Sequence, residues 1–254
     1  MLKAEPAGGC GGCGQWRRQG NGLCYIGGTH GVTRPMEEIV LRQWRDSDLE
    51  PYAAMNSDPE VMRYFPRPFS REESAASLER LRDLIEQRGW GLWVVEVDGR
   101  FAGFTGLAEP LFAASFMPCV EVGWRLRREF WGRGIAYRAA RCALDYGFGA
   151  LKLREVVSFT TVANTRSRRL MERLAFRYNP AEDFDHPAMP PGHALRRHVL
   201  YRKQAPIQSL RETAAEATQP TPAAFLGEGG AFGAQCRFAA PMHAPTQMPV
   251  HRAI

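Results

Sequence analysis

The pattern of apolar and polar positions is clearest between residues 119 and 149. A strand is predicted where apolar residues alternate with polar residues or glycine. The apolar positions of this strand are Val120, Val122, Trp124 and Leu126. The period then becomes that of a helix. The predicted buried face of the helix is Ile135, Ala136, Ala139, Ala140, Ala143 and Leu144. Residues 131–134 contain two glycines and join the two elements, so the sequence predicts a tight turn there.

The preceding residues predict two helices and three further strands. An apolar strand at residues 39–44 is followed by Ser47 and Glu50, which have the spacing of a capping box. A helix should therefore run to about residue 56. A second capping box, Ser70-x-x-Glu73, opens a longer helix that Gly89 ends. The strands predicted at residues 90–97 and 100–107 are joined by Asp98-Gly99, the signal of a two-residue hairpin turn.

The residues that follow the central helix predict a smaller set of elements. Residues 155–161 form a strand, and Asn164 is a suitable N-cap for the next helix. A polar loop at residues 183–192 then leads to a closing strand at residues 195–202. A mixture of strands and helices in this order indicates an α+β domain.

Both ends of the chain lack either structural period. The sequence predicts a disordered extension at residues 1–35, a domain at 36–204 and a disordered tail at 205–254. Met36 directly precedes the first predicted strand. A second hypothesis is therefore that the natural protein starts at Met36 and that residues 1–35 come from an over-extended gene model. A zinc site in the extension would use Cys10, Cys13, Cys24 and His30. The ligand spacing is not that of a zinc finger, so no metal is expected.

Composition narrows the class of protein further. No run of apolar residues is long enough for a transmembrane helix, and the N-terminus lacks the apolar segment of a secretory signal, which favours a cytoplasmic protein. The six cysteines are scattered over a chain that can build a core, so free thiols are expected. A net charge of +6 favours acidic partners, but it does not choose among coenzyme phosphates, nucleic acid and a ribosomal surface.

The turn before the central helix has the features of an anion site. The first N–H groups of a helix have no partner within the helix, and the helix dipole adds positive charge at this end. Arg127, Arg128 and Arg133 bring further positive charge to the same segment. Two other phosphate-binding motifs, the P-loop and the dinucleotide fingerprint, are absent from the sequence.

Two segments resemble the GCN5-related N-acetyltransferase (GNAT) family. Residues 131–136, Trp-Gly-Arg-Gly-Ile-Ala, are similar to the pattern Gln/Arg-x-x-Gly-x-Gly/Ala, with Trp131 at the first position. This version is typical of the RimJ/RimL-like branch, which resembles ribosomal-protein-alanine acetyltransferases. Residues 164–176 are similar to the family's Asn-x-x-Ser segment, which ends in Leu-Gly-Phe; Ala175 replaces the glycine. The resemblance covers about residues 38–203.

The resemblance implies a fold and a co-substrate. The fold is the GNAT acyl-CoA N-acyltransferase fold, a mixed and mostly antiparallel sheet with flanking helices, splayed between the central strand and the strand at Glu155. The co-substrate is acetyl-CoA, with its pyrophosphate on the amides of the glycine turn and its pantetheine arm along Leu126 and against Asn164. The implied binding residues are Leu126, Arg127, Trp131, Gly132, Arg133, Gly134, Ile135, Ala136 and Asn164.

Two residues are candidates for the chemistry. In the family, a Glu near the position of Glu121 takes the proton of the amine, directly or through water; the alternative is an ordinary polar residue on a strand face. The usual tyrosine that protonates the leaving thiolate is replaced by Met171. Ser167 is the candidate for that role by resemblance to the RimL-like branch, with helix capping as the alternative. Tyr201 and His198 are more remote candidates.

The resulting hypothesis is an enzyme that transfers acetyl from acetyl-CoA to a primary amine. The favoured acceptor is the α-amine of a protein N-terminus, and a small-molecule amine is the second choice. A non-catalytic acyl-CoA-binding module is the alternative that Met171 suggests. The arginines at 166–173 lack interleaved aromatic residues, which disfavours nucleic-acid binding. The family also implies a homodimer through the sheet edge near the last strand.

Overall fold

The computed structural model describes residues 37–206 and 236–239, together with the backbone of two strands nearer the N-terminus. These strands, β1 (Gln15–Gln19) and β2 (Gly22–Ile26), pair antiparallel within a separate N-terminal unit. They differ from the absence of regular structure predicted for residues 1–35. The sequence does carry a hairpin signal there, since Gly20-Asn21 separates the two strands. Cys10, Cys13 and His30 lie outside the described residues.

The second unit is built on one mixed sheet with helices on its faces. The strand order is β11-β3-β4-β5-β6-β7-β10-β8, and β9 also pairs with β10. The strands are β3 Ile39–Arg42, β4 Leu92–Val97, β5 Arg100–Ala108, β6 Glu121–Leu126, β7 Glu155–Thr161, β8 Arg177–Tyr178, β9 Phe184–Asp185, β10 Arg197–Gln204 and β11 Arg237–Phe238. The helices are α1 Leu49–Ser57, α2 Arg71–Arg88, α3 Ile135–Gly149 and α4 Thr165–Arg173. All pairs are antiparallel except β6–β7 and β11–β3, which confirms the predicted fold class.

The boundaries of α2 and of the hairpin follow the predicted signals. Ser70 and Glu73 form the capping box, with Ser70 Oγ accepting from the N–H of Glu73 at 3.1 Å. Gly89 ends the helix in the left-handed conformation at φ 76°. The β4–β5 turn has positive φ at both Asp98 and Gly99, as a type I′ turn requires.

The start of α1 differs from the prediction at Ser47 and Glu50. The capping interaction lies instead in the 3-10 turn Asp46–Asp48 that precedes α1, where the carboxylate of Asp48 accepts from the backbone N–H of Arg45 at 2.8 Å. The same carboxylate receives two hydrogen bonds from the buried guanidinium of Arg42. This ion pair and the capping bond belong to the turn that leads into α1, and the spacing of Ser47 and Glu50 did not predict them.

The core lies on both faces of the sheet. On one face, Trp44 and Tyr52 pack edge to face, with ring centres 4.9 Å apart. On the other face, α3 lies against the sheet through alanines that are fully buried, which lets the helix backbone approach closely. The buried residues of α3 include Ile135, Ala139, Ala140, Ala143 and Leu144, so its predicted face is confirmed except that Ala136 is only half-buried.

Two parts of the predicted disordered tail belong to this unit, the buried Ala205 and residues 236–239, which corrects that prediction. Strand β11 pairs parallel with β3, which would otherwise be a sheet edge with unpaired backbone groups. The ring of Phe238 lies 5.1 Å from Trp93 and 5.4 Å from Tyr146. A two-residue strand is too short to produce a period in the sequence, so the pattern could not predict it. The cysteines described with side chains, Cys119, Cys142 and Cys236, are free thiols as expected.

We expect Phe238→Ala to lower the melting temperature. The substitution removes ring contacts with both a strand and α3, and a loss of 1 kcal/mol in a domain of this size lowers the midpoint by roughly 2–4 °C. Thermal melting followed by circular dichroism measures the change. Leu111→Ala is the control, because that side chain is 98% exposed and its truncation should leave the midpoint unchanged. Equal midpoints for Phe238→Ala and the wild type would show that β11 adds no stability.

Candidate active site

The glycine turn opens helix α3 with space in front of it. Gly132 and Gly134 have φ values of 73° and 74°, and Gly134 is the N-cap of the helix. The N–H of Arg138 donates to the carbonyl of Gly134, so the N–H groups of residues 135–137 precede the first helical hydrogen bond. A Cβ atom built on either glycine would meet no atom within 4 Å. The arrangement therefore fits an anion at the helix N-terminus.

The predicted cations of this turn are close to carboxylates. Arg133 donates to Glu37 at 3.0 Å and stacks on Phe130 at 5.0 Å. Arg127 lies 3.4 Å from Glu129, and Arg128 lies 3.9 Å from a carboxylate oxygen of Asp58. Much of the positive charge expected here from the sequence is therefore balanced within the protein. The backbone N–H groups are left as the principal anion donors of the turn.

Trp131 connects the turn to the central strand. Its indole N–H donates to the carbonyl of Leu126 at 2.8 Å. The guanidinium of Arg166, on α4, lies 4.4 Å from the centre of the indole ring. Arg166 has no carboxylate within ion-pair distance among the described residues, so it is a free cation beside the turn. No local pattern marks Arg166 as a site residue, because only the fold brings the start of α4 next to residue 131.

An open cavity of about 570 Å³ adjoins this turn. Its lining carries charges of both signs: Asp58, Glu60, Arg128, Glu129, Trp131 and Arg166. The loop between α1 and α2 thus supplies one wall of the groove, and α4 supplies the other. The cavity opens to the surface beside the residues that follow β6.

Strands β6 and β7 part soon after they meet, as predicted. Within the described chain, Glu121 opposite Val157 is the one residue pair recorded between them. The N–H of Val157 donates to the carbonyl of Val120 at 2.9 Å, and Ser158 Oγ donates to the carbonyl of Val122 at 2.9 Å. Beyond that point β6 has an edge without a partner strand. An extended chain can add to such an edge by backbone hydrogen bonds.

Glu121 lies where the two strands separate. The residue retains some exposed surface, but protein atoms crowd its carboxylate, and this burial raises its pKa to about 8. A hydrogen bond from the backbone of Phe159 opposes the shift. No ion pair holds this carboxylate among the described residues. A carboxyl group with a pKa near 8 can gain and lose a proton at neutral pH, as a general base requires.

Asn164 and Ser167 lie at the start of α4. Asn164 is the N-cap as predicted, and its Oδ1 accepts from the N–H of Ser167 at 3.2 Å. Its amide nitrogen donates to Thr160 Oγ1 at 3.0 Å. The hydroxyl of Ser167 accepts from the indole N–H of Trp124 at 3.3 Å. The capping side chain of this helix is that of Asn164. The hydroxyl proton of Ser167 remains available to an acceptor.

The remaining candidates have other partners. Met171 is buried in the core. The hydroxyl of Tyr201 donates to Glu172 at 3.1 Å. The arginines of α4 lie over rings of the protein itself: Arg168 is 5.6 Å from the centre of Tyr178, and Arg173 is 4.8 Å from that of Tyr137.

A cluster of rings lies behind Glu121, on the side away from the glycine turn. It contains Phe112, Phe116, Phe159, Phe184, His186 and His198, with successive ring centres 4.5–6.5 Å apart. The loop before β6, the strand β7 and the polar loop after α4 each contribute. No local pattern in the sequence predicts this cluster, because its members are far apart in the chain. No helix of the described residues is long and apolar enough to cross a membrane.

Comparison with known proteins identifies the family. Residues 38–177, more than half of the chain, match the family of acetyltransferase (GNAT) domains. FsC-acetyl coenzyme A-N(2)-transacetylase of Aspergillus fumigatus is 35% identical over 124 residues, which are 46% of this chain and 53% of that protein. Spermidine N(1)-acetyltransferase of Escherichia coli is 29% identical over 144 residues, which are 54% of this chain and 72% of that protein.

A solved structure supports the fold. Ribosomal-protein-S5-alanine acetyltransferase of Vibrio fischeri matches with a TM-score of 0.53 at 20% identity, over 65% of this chain and 92% of that chain. At this identity the likeness concerns the fold alone. Together with the family match, the glycine turn and the parted strands, it leads to one conclusion. The chain belongs to the GNAT family and is an acetyl-CoA-dependent N-acetyltransferase.

Proposed function

We propose that this enzyme acetylates a primary amine by direct attack, with Glu121 as the base. The observation that carries the proposal is the position of Glu121 at the point where β6 and β7 part, with a carboxyl pKa of about 8. A primary amine is protonated at neutral pH and cannot attack a thioester until it loses that proton. Glu121 accepts the proton directly or through one water.

The binding of acetyl-CoA is assigned to backbone groups. The amides at Gly132, Gly134, Ile135 and Ala136 hold the pyrophosphate, and the unpaired edge of β6 up to Leu126 holds the pantetheine arm. Arg127 and Arg133 shape the turn through their contacts with acidic residues. Trp131 and Asn164 position the two sides of the acetyl-CoA site. Trp131 ties the glycine turn to β6, and Asn164 ties α4 to β7. Acetyl-CoA itself supplies the acetyl group as a thioester.

Ser167 is the proposed donor to the leaving sulfur. Its hydroxyl oxygen accepts from the indole N–H of Trp124, so the hydroxyl can still donate its own proton. We expect Ser167→Ala to lower turnover by about 10-fold or more with little change in acetyl-CoA affinity, because a general acid acts in the transition state. Stopped assays of kcat and calorimetric titration of acetyl-CoA measure the two quantities. Weaker acetyl-CoA binding at unchanged kcat would assign Ser167 to architecture.

The acceptor is proposed to be the α-amine of a protein N-terminus, and a small-molecule amine is the second candidate. The preference for a protein N-terminus rests on the resemblance of residues 131–136 to the RimJ/RimL-like branch. The V. fischeri structure is named for an alanine of ribosomal protein S5, and the E. coli relative is named for spermidine.

A panel of amines tests the proposed function. Release of the free thiol from acetyl-CoA is followed with N-terminal peptides, polyamines and amino acids as acceptors. Turnover that depends on an amine and that Glu121→Gln abolishes supports the proposal. Binding of acetyl-CoA without turnover on any acceptor favours the non-catalytic acyl-CoA-binding module that the buried Met171 suggests.

A further inference from the structure

Arg125 occupies an unusual site on the central strand. Its guanidinium carbon lies 3.9 Å from the centre of the Phe65 ring and 5.3 Å from that of Phe104. One terminal nitrogen donates to Asn56 Oδ1 at 2.8 Å. Asn56 is buried and donates in turn to Ser74 Oγ at 3.1 Å. Rings and a neutral amide thus hold the guanidinium in one place.

The charge of Arg125 has no acidic partner. Among the described residues, no carboxylate lies within ion-pair distance of it, and its Nε atom is buried without a hydrogen-bond partner. Burial lowers its pKa to about 10, so the group stays protonated at neutral pH. Arg42 shows the usual arrangement in the same fold, with Asp48 at 2.7 Å and Glu96 at 2.6 Å. A buried cation without a counter-ion is costly, and an anionic ligand would relieve that cost.

Arg125 and Glu121 face the same side of β6. Residues alternate between the two faces of a strand, so Glu121, Gly123 and Arg125 share one face. A Cβ atom on Gly123 would contact only Leu92, at 3.9 Å, so the strand surface between the two charged residues is open. The Cα atoms of Glu121 and Arg125 are four steps apart along the strand, which corresponds to roughly 13 Å.

We propose that Arg125 binds a carboxylate of the acceptor, whose primary amine lies at Glu121. This inference rests on the proposed function and specifies its substrate class: a primary amine that carries a carboxylate on the order of 10 Å from the nitrogen, given the rise of a strand. A peptide N-terminus followed closely by an acidic side chain has this form. A polyamine does not, because its cationic nitrogens would meet the guanidinium.

A series of ω-amino acids with their matched ω-amino amides tests the inference. We expect kcat/KM to favour each acid over its amide, with the largest ratio at an intermediate chain length. A hydrogen bond to a charged group corresponds to about 10-fold to 100-fold discrimination. Arg125→Gln should reduce this ratio to near one, because the rate with the acids falls much more than the rate with the amides. Arg125→Lys should restore part of the preference, because it keeps the charge but loses the planar fork.

Arg63→Gln is the matched control, since Arg63 lies in the same loop region as Phe65 but is exposed and near Glu60. Its acid-to-amide ratio should equal that of the wild type. The inference is overturned if the wild type has the same kcat/KM for acids and amides. It is also overturned if Arg125→Gln lowers kcat/KM for acids and for amides by the same factor. Spermidine as the best acceptor, unaffected by Arg125→Gln, would overturn it while leaving the proposed function standing.

A binding measurement covers the case in which no amine is acetylated, which would reject the proposed function itself. The probes are an N-acetylated ω-amino acid and the amide of the same compound. We expect the acid to raise the melting temperature of the wild type more than the amide does, and Arg125→Gln to remove the difference. Equal shifts in the wild type would reject the carboxylate site as well.

Discussion

Glu121→Gln is expected to lower turnover by roughly 10²–10⁴-fold near neutral pH, the usual contribution of a general base. The amide has nearly the shape of the carboxyl group but cannot accept the proton of the amine. The measurement is kcat/KM for the best acceptor between pH 6 and 10. Acetyl-CoA affinity, measured by titration, should not change, because Glu121 lies away from the glycine turn.

The pH profile separates catalysis from architecture. In the wild type, kcat/KM should rise with pH until the carboxyl group ionises at a pKa of about 8. Glu121→Gln should lack this inflection and depend only on ionisation of the amine. The two enzymes should therefore converge at high pH, where free amine is abundant. A loss that is the same at every pH would contradict a base at this position.

The same substitution has a predicted effect on stability. The carboxyl has an ordinary pKa of 4.5 and a folded value of about 8, so the folded state binds its proton more tightly. Its contribution to the free energy of unfolding is complete below pH 4.5 and is lost as the pH rises through 8. As the pH rises between these limits, the melting temperature of Glu121→Gln should increase relative to that of the wild type. The quantity to compare is the melting temperature of the variant minus that of the wild type. A smaller difference at pH 8 than at pH 5 would argue against the shifted pKa.

Gly134→Val is expected to weaken acetyl-CoA binding by about 100-fold or more. A Cβ at this residue enters the open space in front of the helix N-terminus, where the pyrophosphate is proposed to lie. Positive φ adds backbone strain, because a β-branched residue rarely adopts it. Calorimetric titration of acetyl-CoA measures the loss.

Gly192→Val is the matched control for strain. Gly192 has φ 80°, and a Cβ there also meets no atom within 4 Å, but the residue lies in the loop before β10. It should therefore cost a similar amount of stability without changing acetyl-CoA affinity. Undiminished affinity in folded Gly134→Val would place the pyrophosphate elsewhere. Equal losses in both variants would attribute the effect to strain.

Local signals in the sequence determined much of the fold. The capping box at Ser70, the left-handed Gly89 and the turn at Asp98-Gly99 depend on residues close in the chain, so they could be predicted from spacing. The alternation in β6 and the apolar face of α3 likewise follow from the periods of a strand and a helix. The glycine turn between them could be located for the same reason.

The tertiary structure alone decided how charges are paired. Arg133 was expected to face the anion, but it pairs with Glu37, nearly a hundred residues earlier in the chain. Arg125 is one of the polar positions that alternate along β6, and only the fold brings Phe65, from the loop after α1, over its guanidinium. The tail strand β11 depends on a neighbour about 200 residues away.

These features share one physical reason. A turn or a cap is stabilised by hydrogen bonds within a few residues, so the residues themselves specify it. Burial of a charge, its partner and its pKa depend on which distant segments surround it, and no local pattern records that. The sequence by itself therefore determined the strand, the glycine turn and the helix on which the site is built. Only the folded chain decided that protein atoms crowd the carboxylate of Glu121, and that Arg125 lies on the same face with no carboxylate near it among the described residues.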